Sequence, residues 1–383
     1  MSALADIEAS IEALLAMQPY GMPSDDRQNR LLGVLRQEIA YARDRNPRFR
    51  NYVDHWPIDF QATQSIADLP YVPVGAFKAE PPLALVSSGE IRRTLRSSST
   101  SSQIPSRVIL DAATSRRMTK GVIKIIRDFI GAARRPYLVV DTRENLVAGP
   151  ELGARGAAIQ SLESFSTETV CCLSSEGGSM QLDSEKLLGF AEKWSGADVL
   201  VYGFTYVIWT HLVEKLAERG MTLNMTRVHV LHSGGWKRLQ DRAVTKAAFN
   251  SGVAKVFGCS PDRVIDYYGM VENVGVVYPD CAYGNKHVPA FADVIVRDPL
   301  TLAPVEVGAQ GLVQVCSALP TSFPGFLVLT DDIAEVMGYD NCPCGRRGIC
   351  FRFVKRAPRV EMRGCGNVQT TRYPSLTERT VYA

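Results

Sequence analysis

The side chains that could do chemistry here are thiols, carboxylates and hydroxyls. Cys281 and His287, in a Cys-x5-His spacing, and the later pair Cys342-x-Cys344 supply four ligands of the kinds that hold zinc tetrahedrally. Gly345, after the second thiol of that pair, would let backbone N–H groups face the thiolates, as in a zinc-knuckle turn. Four protein ligands leave no open position, so such an ion would staple the chain and not catalyse. The competing reading is a set of separate buried thiols beside a surface histidine, with Cys350 as the nearest spare thiol. Cys365 stands apart, in Arg363-Gly364-Cys365-Gly366. Its flanking glycines expose the side chain and its arginine favours thiolate over thiol. An incidental exposed thiol is the alternative. Cys171, Cys172, Cys259 and Cys316 sit among apolar or small residues and read as core fillers.

Glycines, hydroxyls and carboxylates gather beside strand-like runs. A Ser/Thr run, SSSTSS, starts at Ser97 directly after RRTLR. It reads either as a flexible linker or as a tight loop of N–H groups and hydroxyls wrapped round a polyphosphate. HSGGWK starts at His232 after the run 228–231, and Gly234-Gly235 would let a backbone approach a flat ligand. DYYGMVEN starts at Asp266 and brings an aromatic pair, Gly269 and Glu272. LTDDIAEV starts at Leu329 and places Asp331 and Asp332 past the end of a strand. Taken singly, Glu272 and Asp331 could be helix caps or solvated charges. Ligands of open α/β sheets bind beyond the carboxyl ends of the strands, so four such loops could converge on one crevice.

A scaffold for that crevice is legible in the hydrophobic pattern. Runs 137–140, 199–204 and 228–231 predict buried strands, and 112–130, 206–220 and 239–251 predict helices between them. This alternation is that of a doubly wound α/β layer. Upstream, Ile7, Ile11, Leu14 and Leu15, then Leu31, Leu32, Leu35 and Ile39, predict two packed helices separated by Pro19, Gly21 and Pro23. A proline-rich stretch follows over 57–82. From Val294 the texture changes to closely spaced strands at 294–296, 311–316 and 326–329. Subtracting 40 acidic from 43 basic side chains leaves +3, with both signs interspersed, so no nucleic-acid partner is expected. No apolar stretch approaches the roughly 20 residues a membrane span needs. Asp6, Glu8 and Glu12 stand where a signal peptide would be basic and then apolar, and nine cysteines cannot all pair. A reducing cytoplasm is the expected compartment.

In chain order these loops follow the acyl-adenylate-forming enzymes: a phosphate loop, a Gly-Gly adenine loop, Tyr-Gly-x-x-Glu, Thr-x-Asp and a basic hinge. LHSGGWKRL, YYGMVENVGVVYPDC, HVPAFADVIVRDPLTL, LPTSFPGFLVLTDD, CPCGRRG and EMRGCG resemble the acyl-protein synthetases of the bacterial bioluminescence fatty-acid reductase complex. Phenylacetate–CoA ligases are a more distant resemblance. The resemblance implies an α/β fold with an adenylate-forming domain over 1–355 and a much shortened C-terminal lid over 356–383. Within the first, 1–56 would be helical and about 290–355 β-rich. Ser98, Ser99, Thr100, Ser101 and Ser102 would hold the phosphates of ATP. Gly234, Gly235, Tyr268 and Gly269 would frame the adenine, Glu272 would hold Mg²⁺, and Asp332 would bind the ribose hydroxyls. Arg356 would be the hinge arginine. Cys365 would take the acyl group as a thioester and deliver it to an acyl reductase, and a structural Zn²⁺ would sit on Cys281, His287, Cys342 and Cys344.

Three departures stand out. The family's phosphate loop carries glycine where this chain has Ser99 and Ser102, and a positive φ there would cost on the order of 1 kcal/mol. Pro358 replaces an expected basic residue. Too few residues follow Lys355 for a full swivelling lid, and no lysine stands in for the usual catalytic one. Two other functions stay open: an acyl- or aryl-CoA ligase, against which the short lid argues, and a non-catalytic partner subunit with a degraded phosphate loop. Phe204 and Tyr206, with the segment 322–326, offer apolar material for a fatty or an aryl acid equally well.

Overall fold

The computed structural model describes residues 3–97, 104–146, 151–236, 241–357, 362–364 and 367–369. Its larger sheet has seven strands in the order Tyr278–Pro279, Val264–Tyr268, Val228–Ser233, Val199–Phe204, Arg135–Thr142, Ser166–Glu176, Ser179–Leu182. All but the two outermost strands run parallel. Val199–Phe204 and Arg135–Thr142 are buried at every position, as parallel strands covered on both faces must be. Helix Ala112–Ile130 packs Val122, Ile126 and Ile130 into the core of this sheet. Asp111 starts it by accepting from the Thr114 N–H at 2.7 Å, and Gly131, at φ +82°, ends it.

A second sheet, mostly antiparallel, runs Lys286–His287, Ile349–Arg356, Leu327–Tyr339, Gln310–Ser317, Ala292–Arg297, with Val72–Pro73 added parallel to Leu327–Tyr339. Helices Ala3–Ala16, Ser24–Arg45 and Pro47–Asp54 share its core, placing Leu31, Leu35 and Ile39 with Val315, Phe326 and Val328. A small third sheet pairs Arg93–Arg96 antiparallel with Arg107–Leu110 and parallel with Glu151–Gly153. No helix among the described residues is long and apolar enough to cross a membrane.

Three expectations need correction. The helix read at 239–251 forms instead over Lys246–Phe257, because Thr245 caps it by accepting from the Ala248 N–H at 3.2 Å and Gly258 closes it in the left-handed region. The helix read at 206–220 starts at Thr205 and is interrupted by a π-helical turn, Trp209–Val213, before Glu214–Glu218. Asp331 and Asp332 do not follow a strand but lie inside one. Leu327–Tyr339 continues through them because it is paired on both sides, Leu312 opposite Ile333 and Arg356 opposite Asp332.

The helix Ala112–Ile130 meets the turn Val271–Asn273 through two glycines. A Cβ on Gly121 would stand 2.5 Å from the Gly275 carbonyl oxygen, and one on Gly275 would stand 2.6 Å from Met118 Cα. Gly275 also has φ +80°, so it needs glycine twice over. We expect Gly275→Ala to lower unfolding free energy by about 3 kcal/mol in urea titrations, more than strain at a positive φ alone accounts for.

Candidate active site and metal centre

Neighbouring parallel strands deliver the first group of side chains at their carboxyl ends. Val199–Phe204 ends on Phe204, Val228–Ser233 leads into Gly234, and Val264–Tyr268 ends on Tyr268. Gly234 has φ +75°, and a Cβ there would touch the Phe204 ring at 3.4 Å, whereas Gly235 faces open space. Phe204 is buried under that glycine, with the Arg155 guanidinium 5.8 Å over its ring. Tyr206 is the second residue of the following helix, and its carbonyl accepts from the Thr210 hydroxyl at 2.7 Å. Gly269 follows Tyr268, and a Cβ on it would meet Val277 at 3.3 Å.

Across from these ends, the second sheet supplies Asp332. The Tyr268 hydroxyl donates to Asp332 Oδ2 at 2.8 Å and Arg356 Nε donates to Oδ1 at 3.2 Å, so both carboxylate oxygens are engaged. The Tyr268 ring stacks on Phe353 at 5.4 Å and on Tyr278 at 5.9 Å. Burial, then the Asp332 charge, hold the Tyr268 hydroxyl well above its ordinary range, so it stays a donor. The Asp332 carboxylate beside it raises the Arg356 pKa on balance.

Glu272 sits in the turn after Tyr268, 4% exposed. Burial raises its pKa, and a hydrogen bond with the Ser106 side chain pulls it back. Ser106 belongs to the stem of the loop that carries the Ser/Thr run: the Ser97 N–H donates to the Ser106 carbonyl at 3.0 Å, and the Ser106 N–H to Ser97 Oγ at 2.9 Å. Ser98, Ser99, Thr100, Ser101 and Ser102 lie outside the described residues, between those two serines. Cys365 also lies outside them, in the sequence between the paired strands Met362–Gly364 and Asn367–Gln369.

Tyr268, Asp332 and Arg356 are thus in direct contact, with Glu272 near enough to feel the charges of the last two. Sequence reasoning missed Ser106, Phe353 and His232. His232 Nδ1 lies 2.9 Å from the Thr205 hydroxyl, which donates to the Ser233 carbonyl at 3.2 Å and so accepts from the ring. Burial pushes His232 down to about 4, leaving it neutral near pH 7. Proximity to a Ser/Thr run is the one signal that could have found Ser106. His232 opens the HSGGWK motif, whose glycines drew the reading instead, and nothing local marks Phe353.

Cys281, His287, Cys342 and Cys344 do converge, with their ligand atoms all within 4.8 Å of one another. Cys281 Sγ is 3.8 Å from Cys342 Sγ, and Cys344 Sγ is 3.2 Å from His287 Nε2. Tetrahedral zinc with Zn–S near 2.3 Å has an S···S edge of about 3.8 Å, so the pocket has the dimensions and the donor set of that ion. Burial pushes the Cys281 thiol up to about 11, a proton that a bound cation would displace. Asn285 donates to Cys342 Sγ at 3.5 Å, and the Tyr20 ring packs edge-on against His287 at 6.0 Å. The Tyr20 carbonyl accepts from the Arg347 N–H at 2.9 Å, tying the amino-terminal helices to the knuckle. Cys350 is buried nearby but outside the ligand set, its thiol turned to the Gly338 carbonyl at 3.6 Å.

Comparison with known proteins gives three results. The family model described as acyl-protein synthetase, LuxE, matches residues 4–373. Two curated relatives are each named long-chain-fatty-acid–luciferin-component ligase. The one from Vibrio harveyi is 31% identical over 45% of this chain and 45% of its own; the one from Aliivibrio fischeri is 30% identical over 48% and 49%. The chain thus spans about half the length of the curated relatives it matches. Among solved structures, a 2-hydroxyisobutyryl-CoA ligase superposes with a TM-score of 0.68 at 18% identity, over 88% of this chain and 76% of its own, which shows the adenylate-forming ligase fold.

Elemental analysis of the purified protein should find about one zinc per chain. We expect Cys342→Ser to lose the metal and to lower the melting temperature by about 5 °C. A metal-free wild type with an unchanged melting temperature in strong chelator would remove the ion from the account.

Proposed function

Because the chain belongs to the acyl-protein synthetase family LuxE, we propose that it activates a carboxylic acid with ATP as an acyl-adenylate and then takes the acyl group on Cys365 as a thioester. The acid is fatty or aryl, and the acyl group goes on to a partner acyl reductase. The observation that carries this reading is the Tyr268–Asp332–Arg356 contact at the strand ends, with the buried Glu272 in the turn that follows Tyr268.

The chemistry explains why those groups belong together. A carboxylate is a poor electrophile, and its attack on the α-phosphorus of ATP brings two anions into contact. Mg²⁺ would be held by Glu272 and supply charge neutralisation at the phosphates. Ser98, Ser99, Thr100, Ser101 and Ser102 would donate N–H and hydroxyl hydrogens to the same phosphates. Asp332 would bind the ribose hydroxyls once Arg356 moves off it. That exchange costs little because the Arg356 side chain is 74% exposed. Gly234, Gly235, Tyr268 and Gly269 would frame the adenine, and Phe204 and Tyr206 would line the acyl pocket. Attack by the Cys365 thiolate on the adenylate carbonyl forms the thioester and expels AMP.

We assign the zinc a structural role, since four protein ligands leave it no open position. We also place the boundary between the main domain and the lid segment at 355/356. The reaction would run in the cytoplasm, in keeping with described cysteines that are all free. No nucleic-acid partner enters this reading.

The test is an intact-mass measurement after incubation with Mg-ATP and a panel of fatty and aryl acids, without coenzyme A. A mass increase matching one acid, removed by hydroxylamine and absent in Cys365→Ala, is the expected result. Glu272→Gln should lower the rate of adduct formation by about 100-fold or more, since it removes the group facing the metal and phosphates. Pyrophosphate release without an adduct would favour a coenzyme A ligase. Neither adduct nor pyrophosphate, with no nucleotide-induced thermal shift, would favour a non-catalytic subunit.

A further inference from the structure

A buried ion cluster that the proposed chemistry leaves unused joins the metal ligands to the strand ending on Tyr268. Lys286 immediately precedes His287 and is 3% exposed. Its ammonium donates to Asp266 Oδ2 at 2.9 Å, lies 3.2 Å from Asp280 Oδ1, and reaches the Asp266 carbonyl at 3.5 Å. Asp280 immediately precedes Cys281, bridges to Lys286 across the hairpin, and donates its own N–H to that Asp266 carbonyl at 2.8 Å. Asp266 stands two residues before Tyr268 on the same strand. Lys246 closes the far side of Asp280, and His232 Nδ1 lies 3.8 Å from Asp266 Oδ1. The hairpin that carries Cys281 and His287 therefore grips the Tyr268 strand through side chains and backbone at once.

Stability alone is a weak reason for such a cluster. Two lysines balance two aspartates here, yet well-packed apolar residues in place of a buried ion pair are often as stable or more so. What ions add is direction: the ammonium fixes where the Asp266 carboxylate, and the strand bearing it, must lie. We propose that Lys286 is a positioning residue that transmits the geometry of the Cys281–His287–Cys342–Cys344 centre to the Tyr268–Asp332 contact, and so sets nucleotide affinity. The proposal rests on the nucleotide reading of that contact given above. Metal ligands fix the hairpin, the hairpin fixes the ammonium, and the ammonium fixes the strand from which Tyr268 holds Asp332.

The experiment titrates Mg-ATP onto the purified full chain at equilibrium and measures zinc content alongside, for wild type, Lys286→Met, Asp266→Asn and the double variant. Lys286→Met should keep its zinc while its Kd for Mg-ATP rises about tenfold. In the double variant the lysine's absence should add nothing to the effect of Asp266→Asn, because the amide no longer needs the cation. Lys246→Met, which touches Asp280 alone among the described ion pairs, should leave the Kd unchanged. A zinc-replete Lys286→Met that melts lower yet binds Mg-ATP within about twofold of wild type would overturn the proposal and leave Lys286 structural. Additive losses in the double variant would overturn it too. Should Lys286→Met not fold, Asp266→Asn keeps hairpin and ammonium and carries the test: unaltered Mg-ATP affinity would sink the proposal. A wild type that binds no Mg-ATP at all would instead overturn the nucleotide reading itself, whatever the variants do.

Discussion

Tyr268 and Asp332 belong to different sheets, and the hydrogen bond between them is where the two sheets meet at the site. The tyrosine ends a parallel strand whose neighbours open into loops, while the aspartate lies inside an antiparallel ribbon with no loop of its own. Neither sheet alone could present both an open strand end and a carboxylate held by Arg356. Aromatic packing reinforces the joint, with Tyr278 edge-on to Phe351 at 5.2 Å and Tyr268 stacked on Phe353. Everything else at the site is arranged round that seam. Glu272 follows the tyrosine by one turn, and the Gly121–Gly275 contact presses the turn against the long helix.

Much of this was legible before any coordinates, and the parts that were not share a cause. Buried parallel strands such as 199–204 announce themselves as short apolar runs, because both faces must be apolar. The Cys and His residues of the candidate metal centre announce themselves in pairs, because each pair is local: a hairpin carries Cys281 and His287, and Cys342 and Cys344 stand two residues apart. Asp332 was recognised as a residue but misplaced as structure. Two adjacent acids read as a turn, and only pairing with Gln310–Ser317 and Ile349–Arg356 keeps the backbone extended through them. The helix at Lys246–Phe257 slid because the apolar pattern upstream has the same period, and the cap at Thr245 decided the register.

Lys286 left no sequence signal, and Asp266 and Asp280 stood only as unremarked members of longer motifs. A lone lysine between Asn285 and His287 looks like a solvated charge, yet it is nearly inaccessible and flanked by two carboxylates. The same holds for Arg27, which is fully buried against Asp293 at 3.2 Å. Arg27 and Asp293 lie far apart in the chain, and Lys286 reaches Asp266 from a different strand. Partner choice across such distances is a property of topology, which residue type and local spacing do not encode.

The placement of the four candidate metal ligands also bears on how the chain gets folded. Between His287 and Cys342 lie three strands of the second sheet, Ala292–Arg297, Gln310–Ser317 and Leu327–Tyr339. An ion captured early would close this segment into a ring, removing much of the unfolded chain's freedom in the way a cross-link does. The meander inside would then fold by short-range hairpin closure with its ends already held together, which lowers its effective contact order. In a compartment where thiols stay reduced, such a ring is reversible and responds to metal supply. The knuckle would thus act as a kinetic chaperone built into the sequence, timing when the second sheet becomes available to receive the amino-terminal helices.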